Sequence, residues 1–388
     1  MIRKSLYLLS LLLCATLAQG CSHNGPEEDG PDSGKKEEAA IDWNQAAESS
    51  TQSLVLHFWN PGKGYFNWDV DKTDGPDKDW SYWPEAHAMD VIIDGFHRSG
   101  GSNAYKYYFN KWYEGVKSKS GGSYYNNFYD DMEWICLTMI RLYEASGEAK
   151  YLATARDLWN DIQKGWNTQG GGGIAWKKDQ TWSKNACSNG PGGLIAARLY
   201  RIDKKEEDLQ WARKIFEWEY DHLVDAATGR VNDNLDARSG KITDWCFTYN
   251  QGTFMGLAHE LYQLTGERMF LNIAVKVASY TIGGGACTDT NTGLLRSEGN
   301  GDGGLFKGIF IRYFVKLALE EDLTNGERNK FAFALKKNAE ALWKCGIDTT
   351  DPLFGPNWAR TGETVDLGTH TSGATLIEAM ALYETKTK

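Results

Sequence analysis

Residues 140–162 read IRLYEASGEAKYLATARDLWNDI. An apolar run ends in Leu142-Tyr143, Ser146-Gly147 stops it, and a second segment with apolar residues at helical spacing begins at once. Glycine just past the last periodic residue is a helix stop, because it enters the left-handed conformation without a Cβ clash. The stretch therefore predicts two antiparallel helices joined by a tight turn.

The same unit recurs. Leu-Tyr appears again at Leu199-Tyr200, Leu261-Tyr262 and Leu382-Tyr383, at spacings of 57, 62 and 121 residues, the last about twice the others. FKGIFIRYFVKLALEED fills the skipped place with Leu317 in register, and WPEAHAMDVIIDGFHRSG is an earlier copy with Phe96. Second segments such as EEDLQWARKIFEWEYDHL and ERMFLNIAVKVASYTI follow closely, and NQAAESSTQSLVLHFW supplies the partner that lies before the first copy. Twelve helices in six pairs result, either an open solenoid or a closed ring. No polar capping repeat is evident, and the first helix of each pair is the more apolar. Both features predict closure into an all-α (α/α)6 toroid, a six-hairpin barrel, over residues 42–388. The apolar helices would form the inner ring. Their N-termini share one face with the long Gly- and Trp-rich loops, so a cleft belongs there, and strand signals are confined to those loops.

The ends are of another kind. Residues 1–20 carry Arg3 and Lys4, then an apolar run from Leu6 to Leu13 that is too short and wrongly flanked to span a bilayer. They read as a signal peptide. The segment closes on LAQGC, which resembles the lipobox of bacterial lipoproteins and predicts lipidation of Cys21. Residues 21–41 are polar and charged, cannot bury a core, and read as a flexible acidic tether. Acidic residues just after the cysteine resemble the surface-export signal of Bacteroidetes lipoproteins. The expected address is the outer membrane at the cell surface, with a periplasm-facing orientation as the alternative, held by the lipid anchor alone.

A net charge of −10 without basic clusters excludes nucleic acid and anionic lipid surfaces as partners. A neutral or cationic substrate fits better, and the chain is expected to be a monomer. Beyond Cys14 and Cys21, five cysteines lie far apart with no C-x-x-C, so no metal, cofactor or redox motif is indicated. They read as buried thiols with room for one disulfide. Aromatic residues make up 13% of the chain, and many fall in polar loops, as in GYFNW, WSYW and GGGIAWKKDQTW. Flat apolar faces with polar rims suit pyranose rings.

YYNNFYDDMEW, residues 124–134, places Asp130 and Asp131 at the start of an inner helix. Asp130-x-x-Glu133 matches a capping box, so one aspartate is expected to cap. Counting back eleven residues from each register point gives Asp131, Ser188, Asn250, Phe306, Thr371 and, from Phe96, Glu85. Only one of the six helix starts has two neighbouring carboxylates, which repel and need a reason. Glycoside hydrolysis supplies one, with a protonated acid at the leaving oxygen and a carboxylate that attacks or activates water. Neighbouring side chains on a helix point about 100° apart, which suits the shorter carboxylate separation of retaining enzymes. Mutual repulsion would keep one of the pair protonated.

YYNNFYDDMEW is followed in order by WNTQGGGGIAWKKD, NACSNGPGGLIAARLY, FTYNQGTFMGLAHELYQLTG and FKGIFIRY. From about residue 42 onward the chain resembles glycoside hydrolase family 76. The resemblance implies a retaining endo-α-1,6-mannanase on an (α/α)6 fold, with Asp130 as nucleophile and Asp131 as general acid/base. The lipoprotein context looks like bacterial degradation of yeast-type mannan. His87, Asn250, Gln251, Lys307 and His370 at inner-helix starts are candidate sugar contacts. Trp176, Trp182, Asp233 and Asp236 in the long loops are candidates for stacking on or hydrogen bonding to mannose.

Other motifs dissolve on inspection. GNGDGG at 299–304 follows no strand, and His259-Glu260 has Gln263 where a zincin needs histidine. DVDKTDG has Thr73 and Trp80 where calcium ligands belong. Two rival readings stand beside the mannanase. One is another toroid enzyme, a uronyl hydrolase or sugar epimerase, for which His87 and His370 are thin support. The other is a non-catalytic surface glycan-binding lipoprotein, which would have no use for paired acids.

Overall fold

Six helices are buried nearly all round and six on one face only, and this difference orders the chain. The computed structural model describes residues 40–72 and 82–388, with one body spanning Ile41–Lys388. The expected signal segment, Cys21, nearly all of the tether, and Thr73 and Trp80 lie outside the described residues.

The described residues form twelve α-helices: α1 (Trp43–Phe58), α2 (Trp83–Arg98), α3 (Asn103–Lys119), α4 (Tyr129–Ser146), α5 (Ala149–Ile162), α6 (Ala186–Asp203), α7 (Glu206–Leu223), α8 (Thr248–Thr265), α9 (Arg268–Thr281), α10 (Asp302–Ala318), α11 (Asn325–Lys344) and α12 (Leu367–Thr387). In α5 only Tyr151, Ala155, Leu158, Trp159 and Ile162 are buried, a single stripe at helical spacing. In α12 every residue from Leu367 to Ala381 is buried. The even-numbered helices pack on one another in sequence, and α12 packs back on α2, so the inner ring is closed. This is the (α/α)6 toroid.

Closure needs small residues where inner helices touch. A Cβ on Gly190 of α6 would lie 2.5 Å from Thr253 of α8. One on Gly252 of α8 would lie 2.5 Å from Phe310 Cα of α10, and one on Gly308 of α10 would lie 2.7 Å from Ser372 Cα of α12. Charges then tie opposite sides of the ring. Asp94 of α2 bonds Arg141 of α4 at 2.5 Å and Arg312 of α10 at 2.8 Å, while Asp90 pairs with the same two arginines. Breaking such a buried pair costs about 3–5 kcal/mol, because it strands the remaining charge.

The chain ends meet as well. Glu378 of α12 accepts from Arg98 of α2 at 3.0 Å and from Thr51 of α1 at 2.6 Å. Helix α1 packs mainly on α12, so the segment before the first copy completes the sixth pair. The repeat leucines Leu142, Leu199, Leu261 and Leu317 are fully buried. Leu382 departs from them at 41% exposed, because α12 runs past its buried stretch. The predicted stops at Gly147 and Gly266 are left-handed C-caps with φ of 72° and 73°, donating to Tyr143 O and Tyr262 O.

Two small sheets sit in the long loops. Strands β1 (Trp59–Asn60) and β2 (Tyr65–Phe66) pair with each other. Strands β3 (Ser183–Asn185), β4 (Asn234–Asp236) and β5 (Lys241–Thr243) form an antiparallel sheet beside the inner-helix N-termini.

Candidate active site

The three-stranded sheet forms one wall of a cavity of about 970 Å³ at the N-terminal end of the inner ring. Alternate strand residues face opposite ways. Ser183 and Asn185, Asn234 and Asp236, and Lys241 and Thr243 face the cavity. Lys184, on the other face, is buried and donates to Gly173 O at 2.6 Å, fastening the sheet to the glycine-rich loop. Inner-helix starts form the opposite wall: Trp83, Asp130, Asp131, Trp134, Cys187, Tyr249, Asp302 and Phe306. Tyr249 stacks on Phe306 with centroids 4.0 Å apart, and Trp245, 62% exposed, overhangs the rim.

Asp130 and Asp131 lie in the first turn of α4, but neither caps it. The N-cap is Phe128, without a side-chain cap bond, and Glu133 is fully buried rather than reaching back. The first turn is satisfied by its loops instead: Tyr129 N–H donates to Trp176 O at 2.9 Å. Complete capping boxes occur elsewhere, at Thr324 and Asp366. The pair is thus released from the capping role that local sequence suggested.

Asp130 is gripped from one side. Its Oδ2 accepts from Trp176 Nε1 at 3.2 Å and from Cys187 Sγ at 3.3 Å. Its Oδ1 is buried with no hydrogen-bond partner among the described residues. Asp131 Oδ2 accepts from Asn126 Nδ2 at 3.1 Å. Burial pushes Asp130 up to about 7, against the lowering effect of the Cys187, backbone and Trp176 hydrogen bonds. Desolvation rather than repulsion by Asp131 is therefore the cause, and the raised group is the one that the resemblance makes the nucleophile. Every neighbour hydrogen-bonded to Asp130 through a side chain is a donor, an environment that suits the ionised form once a ligand brings further donors. Deeper in the same helix, burial holds Glu133 well above the usual carboxylate range.

The loop candidates reach the cavity. Trp176 and Trp182 line it, the latter with the Arg238 guanidinium 4.3 Å above its ring. Asp233 lines it and accepts from Asn250 Nδ2 at 3.1 Å, and burial pushes its carboxyl up to about 6. Asp236 is clamped by Arg238, 2.6 Å away, which holds it down at about 2.

The helix-start candidates do not reach it. His87 is buried behind Trp83 and Trp134, its ring centroid 5.0 Å from that of Trp134. Asn250 supports Asp233 from behind, and Gln251 pins the Val231 backbone, donating to its carbonyl at 2.7 Å. Lys307 is buried, donates to Pro356 O at 2.8 Å and lies over Trp358. His370 is sandwiched between Phe58 and Phe354 and bonds Ser50 O at 3.2 Å. Register alone does not separate them. Twelve residues before the register leucines, Asp130, Cys187 and Tyr249 face the cleft but His370 does not, and one position further on Asp131 and Phe306 line it whereas Ser188 and Asn250 are buried in the ring wall. Cys187, Tyr249, Asn185 and Arg238 went unnoticed in the sequence, although a twelve-residue count would have found the first two.

Among the described residues no cluster of His, Cys, Asp or Glu is arranged to hold a metal ion, and no helix is long and apolar enough to cross a membrane.

A profile described as Glycosyl hydrolase family 76 matches residues 42–388. The fold superposes with a TM-score of 0.83 on an inactive variant of the α-1,6-mannanase of Salegentibacter sp. HEL1_6, with two adjacent aspartates changed to asparagine, in complex with α-1,6-mannotriose. The identity is 42%, over 88% of this chain and 100% of that one. A protein of Listeria innocua matches with a TM-score of 0.80 and 32% identity, over 89% of this chain and 98% of its own. A mannan endo-1,6-alpha-mannosidase of Saccharomyces cerevisiae is 30% identical over 230 residues, 54% of this chain and 49% of its own length. The chain thus spans about half the length of the curated relatives it matches. With the profile running from Asp42 to the last residue, and a mannanase of the same fold matched along its whole length, the chain belongs to glycosyl hydrolase family 76.

Proposed function

We propose that the chain is a retaining endo-α-1,6-mannosidase acting on the backbone of yeast-type mannan. The observation that carries this reading is Asp130, with one oxygen held by two donors and the other unpartnered, beside Asp131 in an aromatic cleft. Asp130 attacks the anomeric carbon through its carboxylate while Asp131, protonated, gives its proton to the departing glycosidic oxygen. The ester so formed is then hydrolysed by a water that Asp131, now a carboxylate, deprotonates. The inactivity of the relative with two altered aspartates and its bound α-1,6-linked trisaccharide support both the pair and the linkage. Trp176, Trp182 and Trp245 offer faces to successive sugars, and a cavity of about 970 Å³ open at its rim suits a position within a chain.

The histidines that an epimerase would use are buried away from the cavity, and a binding module would have no need of the held carboxylate. For its address, the signal-like segment and LAQGC support an outer-membrane lipoprotein held through Cys21, at the cell surface. Cys21→Ser should move the chain from the detergent phase to the aqueous phase.

The direct test is debranched α-1,6-mannan incubated with wild type, Asp130→Ala and Asp131→Ala. Oligosaccharide release by the wild type and its loss, about a thousandfold or more, in both variants is expected. Wild-type rates in either variant would overturn the roles. NMR of the first-formed product should show the α anomer; β would exclude retention.

A further inference from the structure

Two cysteines meet at the foot of the cleft wall from separate loops. Cys246 follows the overhanging Trp245 and precedes Phe247, the N-cap of α8 and a cavity-lining residue. Cys287 lies in the connection between α9 and α10. Their sulfurs are 3.3 Å apart, although the residues are separated by 41 positions in the chain. Both are buried, at 4% and 0% exposed, and both are free thiols in this structure.

Two thiols packed as small hydrophobes would be unremarkable in an apolar pocket, but this one is flanked by charged groups, Arg230, Arg296 and Glu298. Arg296 Nη2 donates to Cys246 O at 3.0 Å, and its backbone N–H donates to Cys287 O at 3.0 Å, so one residue fixes both cysteines. Arg230 reaches Asp244 O from the other side, and its Nε is buried without a partner among the described residues. The hydrogen bond from Cys287 first, then the charge of Arg230, a hydrogen bond from Tyr280 and the charge of Arg296, hold Cys246 below the ordinary thiol value despite its burial, while the same shared bond pushes Cys287 up.

We propose that Cys246 and Cys287 form a disulfide that staples the cleft wall at residues 245–247 to the α9–α10 connection. The sulfurs need to approach by little more than 1 Å to reach the ~2.05 Å of the bond. The oxidant is a disulfide, either of a protein dithiol or of a small thiol. Cys246 thiolate attacks one of its sulfurs, expelling a thiolate and leaving a mixed disulfide. Cys287, losing its proton, then attacks the Cys246 sulfur and expels the second thiolate. Two cysteine thiols are oxidised, and one disulfide is reduced to two thiols. Exchange during folding needs no access to the finished pocket. The inference does not depend on which sugar the cleft takes.

The test is oxidised glutathione added to the refolding full chain, followed by alkylation in denaturant, digestion without reductant and mass spectrometry. The expected product is one linked pair of peptides carrying Cys246 and Cys287, two hydrogens lighter than their sum. The oxidised chain should melt about 5 °C higher than the reduced chain, reversibly with dithiothreitol. Cys136→Ser should keep both signals and Cys246→Ser should lose both. Full alkylation of Cys246 and Cys287 in the treated wild type, or linkage of either to another cysteine, would overturn the proposal. The peptide map of the wild type decides the matter even if a serine variant fails to fold.

Discussion

Trp176 and Asp130, 46 residues apart in the chain, meet through the indole N–H and one carboxylate oxygen at 3.2 Å. The same oxygen takes the Cys187 thiol, so a loop, the start of α6 and the start of α4 converge on one atom. That convergence orients Asp130 with its other oxygen unpartnered, and it sets up the first prediction.

Burial holds Asp130 near 7 while the Cys187 and Trp176 bonds pull it down. A nucleophile must be ionised, so kcat/KM on α-1,6-mannooligosaccharides should fall as the pH drops through about 7. Cys187→Ala removes one stabilising donor and should move the limb upward by about half a unit to one unit. A limb that stays put in this variant would remove the thiol from the account.

Asp130 should also cost stability. Its folded value lies above that of the unfolded chain, so the folded state holds the proton more tightly between pH 4 and 7. Below pH 4 both states are protonated and nothing is lost. Above pH 7 the full penalty applies. Asp130→Asn should therefore gain about 2 kcal/mol in urea melts at pH 8, after allowance for the solvent contact of Asp130, and little at pH 4.

The buried histidine and the loop tryptophan should behave oppositely. His370→Ala empties a slot between Phe58 and Phe354 and should cost about 3 kcal/mol of stability, leaving KM within twofold. Trp182→Ala removes a ring that lines the cavity and should raise KM about tenfold with little change in melting. Thermal melts and initial-rate kinetics on the two variants separate the classes.

Ring closure should be sensitive to a single methyl group. Gly252→Ala would place carbon 2.5 Å from the Phe310 backbone, which forces α8 and α10 apart. A loss of about 1–3 kcal/mol is expected, read as a lower urea midpoint with an unchanged slope.

Much of the architecture was legible because it repeats. The Leu-Tyr spacing and the stops at Gly147 and Gly266 reflect local rules, apolar period and left-handed caps, which act within a dozen residues. The charged interior was not legible. Asp90, Asp94, Arg141 and Arg312 look like ordinary helix residues, and only closure brings α2, α4 and α10 together.

The aspartates divide in the same way. Their pairing at one helix start out of six was visible in the sequence, but the capping reading failed, because Phe128 takes the cap and the Trp176 carbonyl satisfies Tyr129 N–H. His370, Lys307 and Asn250 stood at plausible helix starts, yet each is held by partners from other segments: Ser50 O and the rings of Phe58 and Phe354 for His370, Pro356 O for Lys307, and Asp233 for Asn250. Those distant partners, and not the helix register alone, decide whether a side chain meets the cleft or the ring wall.

By itself, then, the sequence determined the helices, their number and order, and the one place where two acids stand together. The tertiary structure alone decided which oxygen of Asp130 is held, which aromatic rings face the cavity, and that Cys246 lies against Cys287. Periodicity and capping are properties of neighbouring residues, whereas each of these contacts joins segments 41 or more positions apart through the closure of the ring.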